Sequence, residues 1–314
     1  MQVGTNISNV IDGNADQSKY DAEVKRVLSD PQILAWILKY TTKEFREYSI
    51  EQIIGCIDGK PEVGTRQVGP GHYSKGIDGI NTEDNVPGEG KAIYDIRFRV
   101  VLPEGGHIGM IINVEAQKSA NPGYDIVTRG VFYCARMLSS QMGNDISAKE
   151  YDELQKVYSI WICLDVPQKA EHSMTRYRIR KEDVHGHAGI DSRYDLMELV
   201  MVYLGREETA ENGTELHGLL NTVLSNKLKP DEKKTILKQE YDIVVSVELE
   251  GGLVSMCNLS EAISEKTVIK TLVSLVEKGR LTKEEAAEEI NMEVGAFEEL
   301  MLEGANVSKR GLKR

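Results

Sequence analysis

Residues 93–117 constrain the fold of this chain more than any other stretch, because they read as two strands joined by a glycine-containing turn. In the first strand Asp95 lies on the polar side of an alternating pattern, and in the second strand Glu115 and Gln117 do the same. Successive side chains of a strand point to opposite faces, so Glu115 and Gln117 project from one side of the sheet. A hairpin that turns at residues 103–107 would bring Asp95 close to them.

These three side chains suggest a particular chemistry. Two carboxylates on adjacent strands form a hard oxygen site that suits Mg²⁺ or Mn²⁺. Gln117 cannot act as a general base, but its amide can orient a water molecule or hydrogen-bond a phosphate. An ordinary antiparallel hairpin with one solvated face has the same alternation. The spacing alone therefore leaves both interpretations open.

The order of Asp95 followed by Glu115-Ala116-Gln117 resembles the active-site signature of the PD-(D/E)XK nuclease superfamily. It is most similar to the branch of transposase-like and recombination-promoting nucleases, in which glutamine replaces the usual lysine of the E-x-K element. The flanking segments GIDGINTEDNVPGEGKAIYDIRF, YDIVTRGVFYCARMLSSQ and VYSIWICLDVP also resemble that branch, from about residue 31 to beyond residue 205.

The resemblance implies a restriction-endonuclease-like α/β fold, in which helices flank a mixed central sheet and an all-helical C-terminal region follows. It implies a metal-dependent DNA endonuclease associated with transposition or recombination. Asp95 and Glu115 would bind Mg²⁺ or Mn²⁺ together with the backbone carbonyl of Ala116. Gln117 would position the attacking water or contact the phosphate.

The same resemblance implies roles for two further groups of side chains. A helix predicted over residues 124–141 carries Arg129 and Tyr133 one turn apart, and they would hold the scissile phosphate. On physical grounds alone, a solvated face with arginines explains this helix equally well. Enzymes of this kind often add an acidic residue from an earlier helix, and Glu44 is the candidate here.

Two other functions stay open. Glutamine at the lysine position and a net charge of −12 also suit a nuclease-like fold that has lost cleavage and acts as a binding or assembly protein. Phosphate binding depends largely on cations, so an acidic chain is an unusual non-specific DNA binder. Cleavage of RNA is compatible with the same motif.

Composition shifts divide the chain into three parts. Residues 1–29 are predicted to be a flexible leader, residues 30–205 the nuclease-like core, and residues 206–314 a helical region. This region ends in a small helix-turn-helix-like segment and a basic tail, SKRGLKR. Residues 277–303 contain nine Glu against three Lys or Arg, which argues against DNA reading. We expect an interaction or homo-oligomerisation element there.

The rest of the sequence indicates where in the cell the protein is expected to function. No apolar run is long enough for a membrane span, and residues 1–17 lack the features of a signal peptide. The four cysteines are scattered through apolar segments, which predicts reduced core thiols and a cytoplasmic protein. The irregular residues 59–91, rich in glycine and charge, are predicted to form a wall or lid of the cleft.

Overall fold

The structure is a computed structural model that describes residues 13–63, 83–86, 90–102, 109–120, 122–142, 150–190, 192–206 and 212–311. Its helices are α1 Gly13–Leu28, α2 Pro31–Thr41, α3 Ile50–Cys56, α4 Ile126–Ser139, α5 Glu215–Leu224, α6 Pro230–Tyr241, α7 Val247–Glu277, α8 Lys283–Glu289 and α9 Val294–Gly311. Its strands are β1 Ile57–Val63, β2 Glu83–Val86, β3 Gly90–Ile93, β4 Ile96–Val101, β5 Gly109–Ser119, β6 Lys156–Asp165, β7 Ser173–Arg178 and β8 Met197–Tyr203.

Six of the strands form one mixed sheet in the order β1-β4-β5-β6-β8-β7. Strands β5, β6 and β8 are parallel neighbours, and the pairs β1–β4, β4–β5 and β7–β8 are antiparallel. The predicted pairing of β4 with β5 is thus confirmed, although the turn at residues 103–107 lies outside the described residues. The chain is of the α/β class, with helices around a mixed sheet and a helical C-terminal region.

The chain divides into two compact units at positions that the sequence did not predict. One unit comprises residues 22–253, and the other comprises residues 1–21 together with 254–314. Residues 206–253 therefore belong with the sheet and not with a separate helical domain. The flexible leader predicted over residues 1–29 is also wrong in its second half, where α1 forms and buries Val24, Val27 and Leu28.

Helix α4 packs against one face of the sheet, and a glycine determines how closely it approaches. A Cβ atom added at Gly130 would lie 2.5 Å from Leu199 Cδ1, so only glycine fits there without a shift of its neighbours. The helix buries Tyr133, Cys134 and Met137 against this face. Val131 is 49% exposed although it is apolar, so the buried face of α4 does not include every apolar residue of the helix.

Local features of the sequence account for several elements. Asp30 caps α2 by accepting from the Gln32 N–H at 2.9 Å, with Pro31 in the first turn. The continuous apolar run of β6 is buried along nearly its whole length, as a strand covered on both faces requires. Helix α3, which precedes β1, begins at Ile50.

The unit that contains the C-terminus has its own small core. Leu272, Ala286, Ala287 and Phe297 from the end of α7, from α8 and from α9 are all buried together. Thr282 caps the N-terminus of α8 in a capping box, in which its hydroxyl accepts from the Glu285 N–H at 3.1 Å and its own N–H donates to the Glu285 carboxylate at 2.8 Å. Oligomerisation through this unit stays a prediction.

The structure also bears on the cysteines, on membrane-spanning helices and on the predicted lid. Cys56, Cys134, Cys163 and Cys257 are buried and free, as predicted. In the part of the chain that the structure describes, no helix combines the length and the apolar character needed to cross a membrane. Most of the predicted lid, residues 64–82 and 87–89, lies outside the described residues.

A buried histidine couples stability to pH. His217 is 1% exposed; its Nδ1 accepts from the Thr214 N–H at 3.1 Å, and its Nε2 lies 3.3 Å from the Ser173 carbonyl oxygen. Since a carbonyl only accepts, this geometry requires the neutral ring with its proton on Nε2. Burial lowers the pKa of His217 below the ordinary value of 6.5.

We therefore expect acid to weaken the fold through His217. The lowered pKa makes its stabilising effect complete above about pH 6.5 and progressively lost as the pH falls through the folded-state pKa. Urea unfolding measured between pH 5 and 8 should show this decline, and His217→Gln should flatten it. The variant should also lose about 1 kcal/mol at pH 8, where its hydrogen bonds are imperfectly replaced. An unchanged pH dependence in His217→Gln would contradict the assignment.

Candidate active site

The two predicted carboxylates meet where β4 begins and β5 nears its end. The last pair of the β4–β5 ladder is Ile96 opposite Val114, so Asp95 and Glu115 are the next residues on each side. The Asp95 N–H donates to Glu115 Oε1 at 3.0 Å, and the Ala116 N–H donates to Asp95 Oδ2 at 3.1 Å. This reciprocal pair of hydrogen bonds fixes both carboxylates relative to the backbone.

The position of this pair in the sheet follows a general rule. Glu115 lies near the carboxyl end of β5, a strand that is parallel to β6. Ligands of open α/β sheets bind outside the carboxyl ends of such parallel strands. The pair thus occupies the end of the sheet at which a functional site is expected.

Glu115 is buried and electrostatically strained. It is only 4% exposed, and its pKa is raised well above the ordinary value by burial and then by the negative charge of Asp95. The Asp95 N–H, the side chain of Asn113 and the charge of Arg129 oppose this rise without cancelling it. A cation held between the two carboxylates would relieve the cost of ionising Glu115.

A lysine that the sequence analysis missed completes the group. Lys25, in the last turn of α1, places its Nζ 2.5 Å from Asp95 Oδ1, and both side chains are 16% exposed. Seventy positions separate the two residues, and Lys25 lies in the segment predicted to be a flexible leader. No sequence pattern indicated this contact, because it depends on where α1 packs.

Ala116 and Gln117 follow Glu115 directly along β5. The N–H and C=O of one strand residue point to the same edge, so the Ala116 carbonyl faces the side of Asp95, beyond the last ladder pair. Gln117 is half-buried and lies on the same face of the sheet as Glu115. The geometry brings together Asp95, Glu115, Ala116 and Gln117.

Helix α4 brings Arg129 and Tyr133 to the same face of the sheet. Arg129 donates to the Tyr133 hydroxyl from Nη2 at 2.7 Å and to the Tyr124 hydroxyl from Nη1 at 2.5 Å. Its guanidinium lies over the rings of Tyr124, Tyr133 and Trp161, with centroid distances of 5.1 to 5.6 Å. Arg129 is therefore held by aromatic rings and hydroxyls, and no carboxylate pairs with it in the described part of the chain.

Tyr133 connects this arginine to the carboxylates. It is 5% exposed, and burial together with the charge of Glu115 raises its pKa, so the phenol stays neutral. Its ring packs edge-on against Tyr94 at 5.2 Å. The alternative of a solvated arginine face does not fit this helix, since Tyr133 and the neighbouring Arg136 are both buried.

Two residues of β6, Trp161 and Ser159, lie on the strand next to β5 and contact the site. Neither residue had a predicted role. Trp161 is the register partner of Glu115, and its indole N–H donates to Ser159 Oγ at 2.9 Å. Asn113 donates to the same hydroxyl at 3.2 Å. The polar residues inside the apolar run of β6 were the available signal, since a buried serine needs partners.

Glu44 does not lie in this group. Its carboxylate accepts from Lys156 Nζ at 3.2 Å and from the Tyr158 hydroxyl at 2.5 Å. Tyr158 lies on the opposite face of the sheet from Trp161 and Glu115, because strand side chains alternate. The geometry does not support an auxiliary metal-site role for Glu44. This residue instead neutralises the buried Lys156.

The donor set can accommodate one hard divalent cation. In the described ranges, no cluster of three or more His, Cys, Asp or Glu side chains is placed to hold a metal. Magnesium commonly takes one or two carboxylates and completes its shell with water and substrate oxygens. Asp95 and Glu115, with the Ala116 carbonyl beside them, meet that requirement.

Comparisons with known proteins found no relative of this chain. No family model, no curated protein and no solved structure matches the chain. Its functional interpretation therefore depends on the geometry of residues 95–133 and on Lys25.

Proposed function

We propose that the protein is a metal-dependent endonuclease that hydrolyses phosphodiester bonds of DNA with Mg²⁺ or Mn²⁺, on a restriction-endonuclease-like core. The observation that carries the proposal is the hydrogen-bonded pair of Asp95 and Glu115 at the carboxyl end of β5. Lys25 and Arg129, the two cations of the site, support it, because phosphoryl transfer needs positive charge around the phosphate. A role in transposition or recombination is part of the proposal through the motif alone.

Each residue then has a defined task. Asp95 and Glu115 hold the cation, which when bound lowers the pKa of a water molecule and neutralises charge on a phosphoryl oxygen. Gln117 hydrogen-bonds the attacking water through its neutral amide. Tyr133 stays protonated and donates to a non-bridging phosphate oxygen, with Arg129 behind it as a fixed positive charge.

Lys25 adds charge where the E-x-Q element has none. Its ammonium lies beside Asp95, next to where a phosphate oxygen or the incoming hydroxide would be bound. A fixed cation at this place would stabilise the negative charge that develops in the transition state. The proposed site therefore combines one divalent ion with one lysine.

Two measurements test the proposal. The wild-type protein should nick supercoiled plasmid in Mg²⁺ or Mn²⁺ and lose this activity in EDTA. Calorimetry with Mn²⁺ should detect uptake by the wild type and none by Asp95→Ala, which removes one of the two carboxylates. Equal Mn²⁺ uptake by both proteins would overturn the metal assignment, and uptake without any cleavage of DNA or RNA would overturn the enzyme.

One observation favours a second function, a nuclease fold that binds or assembles without cleaving. The Lys25 ammonium already neutralises Asp95 at 2.5 Å, so the carboxylate has a partner without any metal. A site that had lost its metal would look the same if lysine had taken its place. Metal uptake together with metal-dependent cleavage separates the two functions, because only the enzyme requires both.

A further inference from the structure

A shallow depression on the other face of the sheet concentrates positive charge. It has a volume of about 510 Å³ and is lined by Lys43, Arg46, Glu47, Arg176 and Arg178. Four of these five side chains are cationic, whereas the whole chain has a net charge of −12. The acidic composition of the chain does not account for this cluster of cationic side chains, which suggests a binding function.

The depression is separate from the candidate active site. Arg178 is the register partner of Glu198, which in turn pairs with Tyr158, and these residues share one face of the sheet. Glu115 and its partner Trp161 lie on the opposite face. A ligand bound here would therefore not contact the carboxylate pair.

Two of the cations are paired with acidic side chains. Arg176 is held by the buried Glu198 through Oε2 at 3.3 Å and donates to the Thr41 carbonyl at 2.9 Å. Lys43 pairs with the partly exposed Asp195 at 2.5 Å. These ion pairs leave little of the charge of either cation uncompensated.

The other two cations have no such partner. Within the described ranges, neither Arg46 nor Arg178 has a carboxylate at ion-pair distance, and both are exposed. Arg46 lies between α2 and α3, and Arg178 ends β7, so they approach the depression from different elements. Guanidinium groups present planar pairs of N–H donors that match phosphate oxygens.

We infer that this depression is a second binding site, which takes an anion bearing several phosphate groups. Arg46 and Arg178 would bind the phosphates directly, and the paired Arg176 and Lys43 would define the wall of the site. The volume lies in the range of small-ligand sites. The same chemistry fits a free polyphosphate and a phosphodiester strand. The inference does not depend on the proposed nuclease activity.

Titration of the full-length protein with inorganic tripolyphosphate, and separately with a short single-stranded oligonucleotide, tests this site. Both titrations are done in EDTA, so that the metal-dependent site does not contribute. We expect binding of tripolyphosphate, of the oligonucleotide or of both, weakened about tenfold by Arg46→Gln and again by Arg178→Gln. Glu47→Gln should tighten binding, because it removes the one negative charge of the lining.

Arg206→Gln is the matched control, since Arg206 is an exposed arginine that pairs with Glu171 outside the depression. It changes the net charge by the same amount and should leave binding unchanged. Binding of only one of the two probes, lost in the Arg46 and Arg178 variants, would identify the source of the phosphate. Absence of binding by the wild type would overturn the inference, as would equal losses in Arg206→Gln. The inference would also be overturned if sulfate displaced the bound probe as effectively as tripolyphosphate does at the same ionic strength.

Discussion

Glu115→Gln is expected to abolish cleavage without weakening the fold. The substitution keeps an oxygen that can accept from the Asp95 N–H, so the local backbone geometry should persist. It removes the negative charge that a divalent cation needs, and we expect loss of Mn²⁺ uptake and a fall in the nicking rate of about 10³-fold. Plasmid nicking and calorimetry on the same preparation measure both effects.

The stability of this variant should rise at neutral pH. The folded-state pKa of Glu115 is raised, so in the folded protein the residue binds its proton more tightly than in the unfolded chain. Stability therefore falls as the pH increases from the ordinary value of 4.5 through the raised pKa, and the charged carboxylate is a cost above it. Glutamine removes that cost, and thermal unfolding at pH 8 should show a higher Tm than that of the wild type.

Glu44→Gln provides the contrasting control. Glu44 lies on the opposite face of the sheet, paired with Lys156 and Tyr158. Its loss should lower stability by about 1 kcal/mol, since Lys156 keeps two other acidic partners, and should leave cleavage and Mn²⁺ uptake unchanged. Activity that is equal in Glu115→Gln and wild type would show that the site is misplaced or the nuclease is a contaminant.

The same raised pKa makes metal uptake depend on pH. Protons compete with the cation for Glu115, and the competition is stronger because burial and Asp95 raise its pKa. Mn²⁺ affinity should therefore increase as the pH rises through that pKa. This dependence should be absent from any residual binding by Glu115→Gln.

What the sequence predicted well is local in the chain or periodic. The alternation in β5 and the apolar run of β6 both depend on neighbouring residues, and both strands formed as predicted. The same holds for the hydrogen bond that caps α2 at Asp30. The proximity of Asp95 to Glu115 also followed, because the register of one hairpin is sufficient to place them.

What the sequence missed depends on packing between distant elements. The buried face of α4 is set by the close approach of Gly130 to Leu199, and a count of apolar residues favoured Val131 instead. Lys25 reaches Asp95 only because α1 buries its apolar residues in the same unit. The polar appearance of residues 1–29 hid that helix, since three buried side chains are a weak signal in sequence.

Lys25→Met should move metal affinity and cleavage rate in opposite directions. The ammonium lies 2.5 Å from Asp95 Oδ1 and repels a divalent cation that binds the same carboxylate. Its removal should tighten Mn²⁺ binding by about fivefold, because a nearby like charge disfavours the ion by about 1 kcal/mol at a partly solvated position. The cleavage rate at saturating metal should nevertheless fall by about 10²-fold, because the transition state loses a fixed cation.

Two further variants separate this role from a structural one. Lys25→Arg keeps the charge and should recover part of the rate, whereas Lys19→Met removes an exposed lysine of the same helix and should change neither quantity. Adding Gln117→Lys to Lys25→Met returns a cation to the site from β5 and should restore part of the lost rate. If Lys25→Met tightens metal binding and cleaves as fast as the wild type or faster, the lysine only blocks the metal. Lys25 would then have no catalytic role, because a catalytic cation cannot be removed without loss of rate.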